Sequence, residues 1–245
     1  VLGSMATRYI CMPTEQELAS VELGFEAVTG FPNVVGAIDG TLVPIQRPKD
    51  FEGWYCRKMF PAVNVQAVVD HVGSFRSLSI CAGSNNDQSL WNGSAVKKRL
   101  STYVPAGRHL LGDAGYKLWN HLLTPYPESE AVTDRRKRVY NGAHSRTRIA
   151  VECAFGRLKN RFRILLSKLQ QKTSRGVCRV IVASAVLHNL LILVQDSQRI
   201  DGRDPLLVDA PRVVHEDATD PELPISHAQG VAKRNDIADI LIGKF

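Results

Sequence analysis

Cysteine is scarce and unpatterned. The five residues Cys11, Cys56, Cys81, Cys153 and Cys178 form no C-x-x-C pair, have no histidine at ligand spacing and are odd in number. That excludes a complete disulfide framework and argues against structural zinc, so a reducing compartment is expected. Internal repeats and low-complexity tracts are missing too. The longest apolar stretch, residues 177–194, is interrupted by Arg179, Ser184, His188 and Asn189, which makes it too polar for a membrane span and suited to a buried core helix. A signal peptide is not expected, since Val1-Leu2-Gly3-Ser4-Met5 reads as an expression remnant ahead of a start methionine.

What is present is a globular composition. The 245 residues are 44% hydrophobic and 22% charged, which excludes disordered and collagen-like chains and suits one compact domain, or one plus a small appendage. The charge balance is less ordinary. Lys and Arg number 31 against 24 acids, for a formal charge of +7 and a pI near 9.3, and such an excess favours a polyanionic partner. It is also segregated: residues 135–175 carry 13 basic side chains against the single acid Glu152, whereas residues 201–245 carry nine acids against five basic residues.

Periodicity divides the chain in the same way. Residues 34–38 and 41–46 read as two extended segments, and residues 62–70 and 75–82 as a hairpin turning at His71-Val72-Gly73-Ser74, with Asp70 a turn residue. Residues 87–101 have a helical rhythm, and residues 109–111 form a short strand ending on Gly112-Asp113. From Arg135 onward the pattern is helical. Phe155, Leu158, Phe162, Leu165 and Leu169 keep within about 40° of Val151 on a helical wheel, while Arg148, Glu152, Lys159 and Arg163 fall at about 60° to 120° from it. The prolines at 205, 211, 221 and 224 predict a loosely ordered acidic tail with a short helix at residues 236–242, free to sample the basic surface.

Three carboxylates stand out. Asp39 lies in Gly36-Ala37-Ile38-Asp39-Gly40-Thr41 and Asp113 ends a short apolar strand beside Gly112. Glu152 is the lone acid of the basic helix. Two strand-borne aspartates and a helix-borne glutamate supply the oxygen ligands that a hard divalent cation takes. Singly, each aspartate suits a turn better than a ligand, and Glu152 suits an i, i+4 ion pair with Arg148 better.

The motifs around them occur in a telling order. Residues 36–41, 64–70, 82–87, 110–116, 122–126, 140–141, 144–148, 151–163 and 186–189 follow one another as in the DDE superfamily endonucleases of PIF/Harbinger transposases, and the resemblance runs over residues 31–193. The chain departs from that pattern at Ala82, where the family usually has Pro, at Asn86, where it often has His, and in lacking most of the upstream helical region. The resemblance implies an α/β fold, a ribonuclease-H-like mixed sheet flanked by helices, followed by a basic C-terminal helical part and the acidic tail. The implied domains are a residual N-terminal segment at 1–30, a catalytic domain at 31–196 and a partly ordered tail at 197–245. It also implies Asp39, Asp113 and Glu152 as a catalytic DDE triad holding two Mg²⁺ or Mn²⁺ ions, with Asp39 bridging both, Asp113 binding one and Glu152 the other. Two such ions can activate a water and stabilise the departing oxygen in phosphodiester cleavage; a DNA 3′-hydroxyl in place of water gives strand transfer.

Around the triad, Asp87 suits either a group supporting the metal ligands or a helix N-cap. His144 suits a carboxylate-orienting or phosphate-touching role, His188 a satisfied core histidine, and Cys153 a small core residue. Arg57, Lys58, Arg135, Arg136, Lys137, Arg138, Arg146, Arg148, Lys159, Arg161 and Arg163 are the expected DNA contacts, and the basic run at 135–138 also fits a nuclear localisation patch. The expected partners are DNA, a separate Myb-like DNA-binding protein and a second copy in a homodimer, with no membrane. The competing function is a domesticated relative that binds DNA or chromatin without catalysis. A two-carboxylate glycosidase would leave the basic segment unexplained.

Overall fold

The computed structural model describes residues 2–48, 52–195 and 223–244. In chain order the helices are α1 (Ala6–Tyr9), α2 (Glu15–Thr29), α3 (Asp87–Gly93), α4 (Ala95–Lys98), α5 (Leu100–Tyr103), α6 (Glu128–Thr133), α7 (Arg135–Arg161), α8 (Ser174–Leu193) and α9 (Leu223–Ile242). The strands are β1 (Val34–Pro44), β2 (Ala62–Val69), β3 (Phe75–Ala82), β4 (His109–Leu111) and β5 (Leu122–Leu123).

The strands form one mixed sheet in the order β3-β2-β1-β4-β5. β1, β2 and β3 pair antiparallel, whereas β4 joins β1 and β5 joins β4 in parallel. An antiparallel meander extended by parallel strands agrees with the ribonuclease-H-like architecture expected. The hairpin between β2 and β3 turns as expected on Asp70, whose Oδ1 accepts the amides of Val72 at 3.1 Å and Ser74 at 2.9 Å. β2 is buried along its whole length, as befits a strand covered on both faces.

Alternation along the strands feeds two cores. Ala37, Val43, Val65, Ala67 and Leu111 pack with Val151, Ala154, Phe155 and Leu158 of α7 and with Val21 and Phe25 of α2. Ile38, Val68 and Leu110 pack on the opposite face with Trp91, Val96 and Val104. A register shift between Val34 and Gly36 sets which side chains of β1 look toward α7.

Several elements differ from expectation. β1 is a single strand that runs through Asp39-Gly40, because β2 pairs with it continuously from Ala37 to Pro44 and holds both halves in one ladder. Residues 87–101 break into α3, α4 and the start of α5; Asn86 caps α3, and Ser94 restarts the chain as α4 by accepting the Lys97 amide at 3.1 Å. The N-terminal segment contributes directly to the main core, since a capping box of Thr14 and Glu17 starts α2 and puts Leu18, Val21 and Phe25 on its inner side.

α8 has a mean hydropathy of 1.9 over its best window, so by length and composition it could cross a bilayer, contrary to the sequence reading. Here it is a core helix, with its polar groups satisfied inside the protein. His188 Nε2 lies 3.0 Å from the Gly73 carbonyl, and the Asn189 side chain bonds the Phe75 backbone at 2.8 Å on both its oxygen and its nitrogen.

The tail also departs from expectation. Residues 196–222 lie outside the described residues, but α9 is a helix of 20 residues rather than the short one expected at residues 236–242. Ile237, Ala238 and Leu241 are buried in the main core. Gly230 meets the Trp119 backbone, where an added Cβ would come within 2.7 Å of the Trp119 carbonyl carbon. α9 is therefore docked on α7 and β5 and is not free to roam the surface.

Candidate active site

Asp39 sits in the middle of β1 and is only 2% exposed. Its Oδ1 accepts the Gly40 amide at 2.7 Å, and its Oδ2 accepts Arg148 Nη1 at 2.8 Å. Arg148 belongs to α7, which packs across β1, and its other terminal nitrogen donates to Glu152 Oε1 one turn along the same helix. The i, i+4 pair foreseen for Glu152 is thus present, but the same guanidinium also reaches the sheet. One cation joins two of the three candidate carboxylates.

Asp113 follows the end of β4, the parallel neighbour of β1. Ala37 pairs with Leu111 in the parallel β1–β4 ladder, and Asp39 and Asp113 each lie two residues beyond that pair. The Asp113 carboxylate accepts the Gly115 amide at 3.0 Å, a turn geometry that fixes the side chain where β4 ends. Asp113 is thus the turn residue that its position beside Gly112 suits.

Asp87 is not the helix cap. Asn86 caps α3, accepting the Ser89 amide at 2.7 Å. The Asp87 Oδ1 instead stands 2.2 Å from where a Cβ on Gly40 would be, so only glycine lets this carboxylate approach β1 so closely. Because side chains alternate along a strand, Asp87 faces β1 from the side opposite Asp39. Asn64 Nδ2 donates to Asp87 Oδ1 at 3.4 Å, and Gln66 Nε2 donates to the Asp87 carbonyl at 2.9 Å and to the Tyr116 hydroxyl at 3.0 Å. This polar network behind the strand was not foreseen. Its signal was the polar alternation of Asn64 and Gln66 inside an otherwise apolar strand.

His144 departs from its expected role. It is buried with Phe31 and Tyr140, its Nε2 is 3.2 Å from the Leu123 carbonyl, and burial pushes its pKa down to about 3. A neutral ring held by a backbone carbonyl in an aromatic cluster packs the core; it neither orients a carboxylate nor meets phosphate. His188 is the core histidine expected, pushed down to about 4 by burial.

The basic residues separate into distinct groups. Lys159, expected on the phosphate-facing strip, is 0% exposed, with its ammonium 2.6 Å from Thr41 Oγ1 and 3.0 Å from the Leu42 carbonyl. In the 135–138 run, Arg136 bonds Asp239 at 2.7 Å, Lys137 bonds Glu130 at 2.6 Å, and Arg138 donates to the Ala131 and Val132 carbonyls. These three hold α6 and α9 in place. Arg146 is exposed and lines a cavity of about 190 Å³ with Phe25, His71 and Arg157. Arg57, Lys58, Arg135 and Arg163 are also exposed, and Arg161 is partly so.

Among the described residues no three His, Cys, Asp or Glu side chains gather as a ready-made metal cage. The donor set nevertheless fits a hard cation. A buried carboxylate and a half-exposed one already share a positive group, and both offer only oxygen. What a divalent ion would need is the place that Arg148 takes.

Residues 38–189 match the family model described as DDE superfamily endonuclease. Among curated proteins the chain is 32% identical over 194 residues to the Mus musculus protein named "Putative nuclease HARBI1", covering 77% of this chain and 55% of that one. It is 30% identical over 220 residues to "Protein ALP1-like" of Arabidopsis thaliana, covering 81% of this chain and 52% of that one. The chain thus spans about half the length of the curated relatives it matches. No solved structure matches.

Proposed function

Because this chain belongs to the DDE superfamily endonucleases, we propose that Asp39, Asp113 and Glu152 are its catalytic triad and that it cleaves DNA phosphodiester bonds. The observation that supports the reading is the sharing of one cation: Arg148 joins the strand-borne Asp39 to the helix-borne Glu152, and Asp113 follows the end of β4, whose Leu111 pairs with Ala37 of β1. Endonucleases of this superfamily generally use divalent metal ions. Two Mg²⁺ or Mn²⁺ ions held by the three carboxylates would supply charge neutralisation for an in-line displacement at phosphorus.

The chain's own part is positioning. The β1–β2 ladder and the Asp87 network hold the backbone on either side of Asp39, while α7 brings Glu152 to the sheet. Exposed Arg57, Lys58, Arg135, Arg146 and Arg163 are the groups assigned to phosphates on this reading. On the same reading a DNA 3′-hydroxyl replaces water in strand transfer, a Myb-like protein and a second copy assist, and the work is done in the nucleus.

The test is nicking of supercoiled plasmid with Mg²⁺, Mn²⁺ or EDTA. Asp39→Asn, Asp113→Asn and Glu152→Gln should each abolish metal-dependent nicking, since an amide is a far poorer ligand for a hard cation, and should leave DNA affinity measured in EDTA nearly intact. DNA retention without nicking in any metal would return the chain to a DNA-binding or chromatin role. Undiminished turnover in one variant would remove that residue from the triad.

A further inference from the structure

Arg148 is only 16% exposed and carries two carboxylates at once. One of them, Asp39, is buried, and a buried carboxylate is tolerated only beside a compensating charge or donor. The forked guanidinium suits that task because its two terminal nitrogens can serve different acceptors. The oxygens it engages, Asp39 Oδ2 and Glu152 Oε1, are ones a divalent ion at this site would use. A guanidinium and a doubly charged ion would also repel strongly at such separations. The two cations therefore compete for one place.

We propose that Arg148 is a stand-in cation: it holds Asp39 and Glu152 together in the ion-free protein, is displaced when a divalent ion binds, and is thereby released toward substrate phosphate. The proposal rests on the triad reading above and adds a regulation of that site. α7 supplies the means. Arg148 and Glu152 share a helical face one turn apart, so the side chain can leave the carboxylates by rotamer changes alone while Glu152 stays in place. Ion binding and nucleic-acid binding are then coupled, and linkage requires each to strengthen the other by the same factor.

Mn²⁺ titrations of the full chain by isothermal calorimetry test this, with foldedness checked by thermal melting. Arg148→Ala should bind Mn²⁺ on the order of tenfold more tightly than wild type, within the usual range of such couplings. Fluorescence anisotropy of a phosphorothioate duplex should show Mn²⁺ raising DNA affinity in wild type and having no such effect in Arg148→Ala. Unchanged or weaker Mn²⁺ binding by folded Arg148→Ala would overturn the proposal.

Should that variant not fold, ¹⁵N spectra of arginine side chains in wild type, assigned through Arg148→Lys, give the same answer. Mg²⁺ must shift the Arg148 signal, and a signal indifferent to Mg²⁺ overturns the idea. Asp39→Asn separates the two readings. Wild-type Mn²⁺ affinity in Asp39→Asn would sink the triad itself, whereas loss of binding there with no gain in Arg148→Ala would sink only the stand-in role.

Discussion

The Lys159 ammonium crosses from α7 to the Thr41 hydroxyl at 2.6 Å, two residues along β1 from Asp39, and has no exposure to solvent. It also donates to the Leu42 carbonyl, so a charged side chain is used to clamp the helix that carries Glu152 onto the strand that carries Asp39. Lys159→Ala should cost about 2–4 kcal/mol by leaving a cavity and stranding two acceptors. Urea unfolding measures the loss. Salt titration of DNA binding by the folded fraction should show the wild-type slope, because this lysine faces no phosphate.

Exposed arginines should behave in the opposite way. Arg57→Ala or Arg163→Ala, at exposed positions, should leave stability within about 0.5 kcal/mol. Each should lower the log–log salt slope of DNA affinity by about one if it displaces a counterion. Arg136→Ala should instead reduce stability, since it removes the Asp239 pair that ties α9 to α7. Equal slopes for wild type and both surface variants would remove Arg57 and Arg163 from the interface.

The sequence made the site more legible than its supports. The strand grammar around Asp39 and Asp113 and the i, i+4 spacing of Arg148 and Glu152 are local, so they could be read directly. That Arg148 also reaches Asp39 could not, because the contact spans 109 positions and depends on how α7 crosses the sheet. Lys159 misled for a related reason: at about 80° from the centre of the apolar stripe it borders the core, and a helical wheel cannot say which border residues a facing strand will cover. α9 was obscured by composition. Its acids and bases average to little net pattern, and only the packing shows that Ile237, Ala238 and Leu241 form one inward stripe.

That stripe sets the next expectation. Leu241 has no exposure and lies in the main core, so Leu241→Ala should cost about 2–5 kcal/mol. Arg234 stacks over Tyr126 at 3.9 Å, and the Tyr126 hydroxyl meets Asn235 Oδ1 at 2.7 Å, so α9 is also held at its middle. Removing residues 223–245 should therefore lower the melting temperature and expose apolar surface, read as increased dye binding. A truncated protein as stable as the full chain would show that α9 contributes little to the fold.

Two of the buried histidines, His144 and His188, predict how stability responds to acid. In the folded protein burial holds His144 down to about 3 and His188 down to about 4, against an ordinary value near 6.5 in the unfolded chain. Below about pH 6.5 the unfolded chain takes up protons that the native protein refuses. The unfolded state then binds more protons, and stability must fall as pH falls. The contribution is complete above pH 6.5 and is lost progressively down to pH 4 for His188 and pH 3 for His144. Between pH 7 and pH 5 the loss should be about 2 kcal/mol per histidine at most. His188→Gln isolates one share, because its amide can still donate to the Gly73 carbonyl that His188 Nε2 meets at 3.0 Å, yet does not titrate. Urea midpoints at pH 7, 6 and 5 should therefore fall less steeply for His188→Gln than for wild type. Parallel curves for the two proteins would show that His188 titrates alike in the folded and unfolded states.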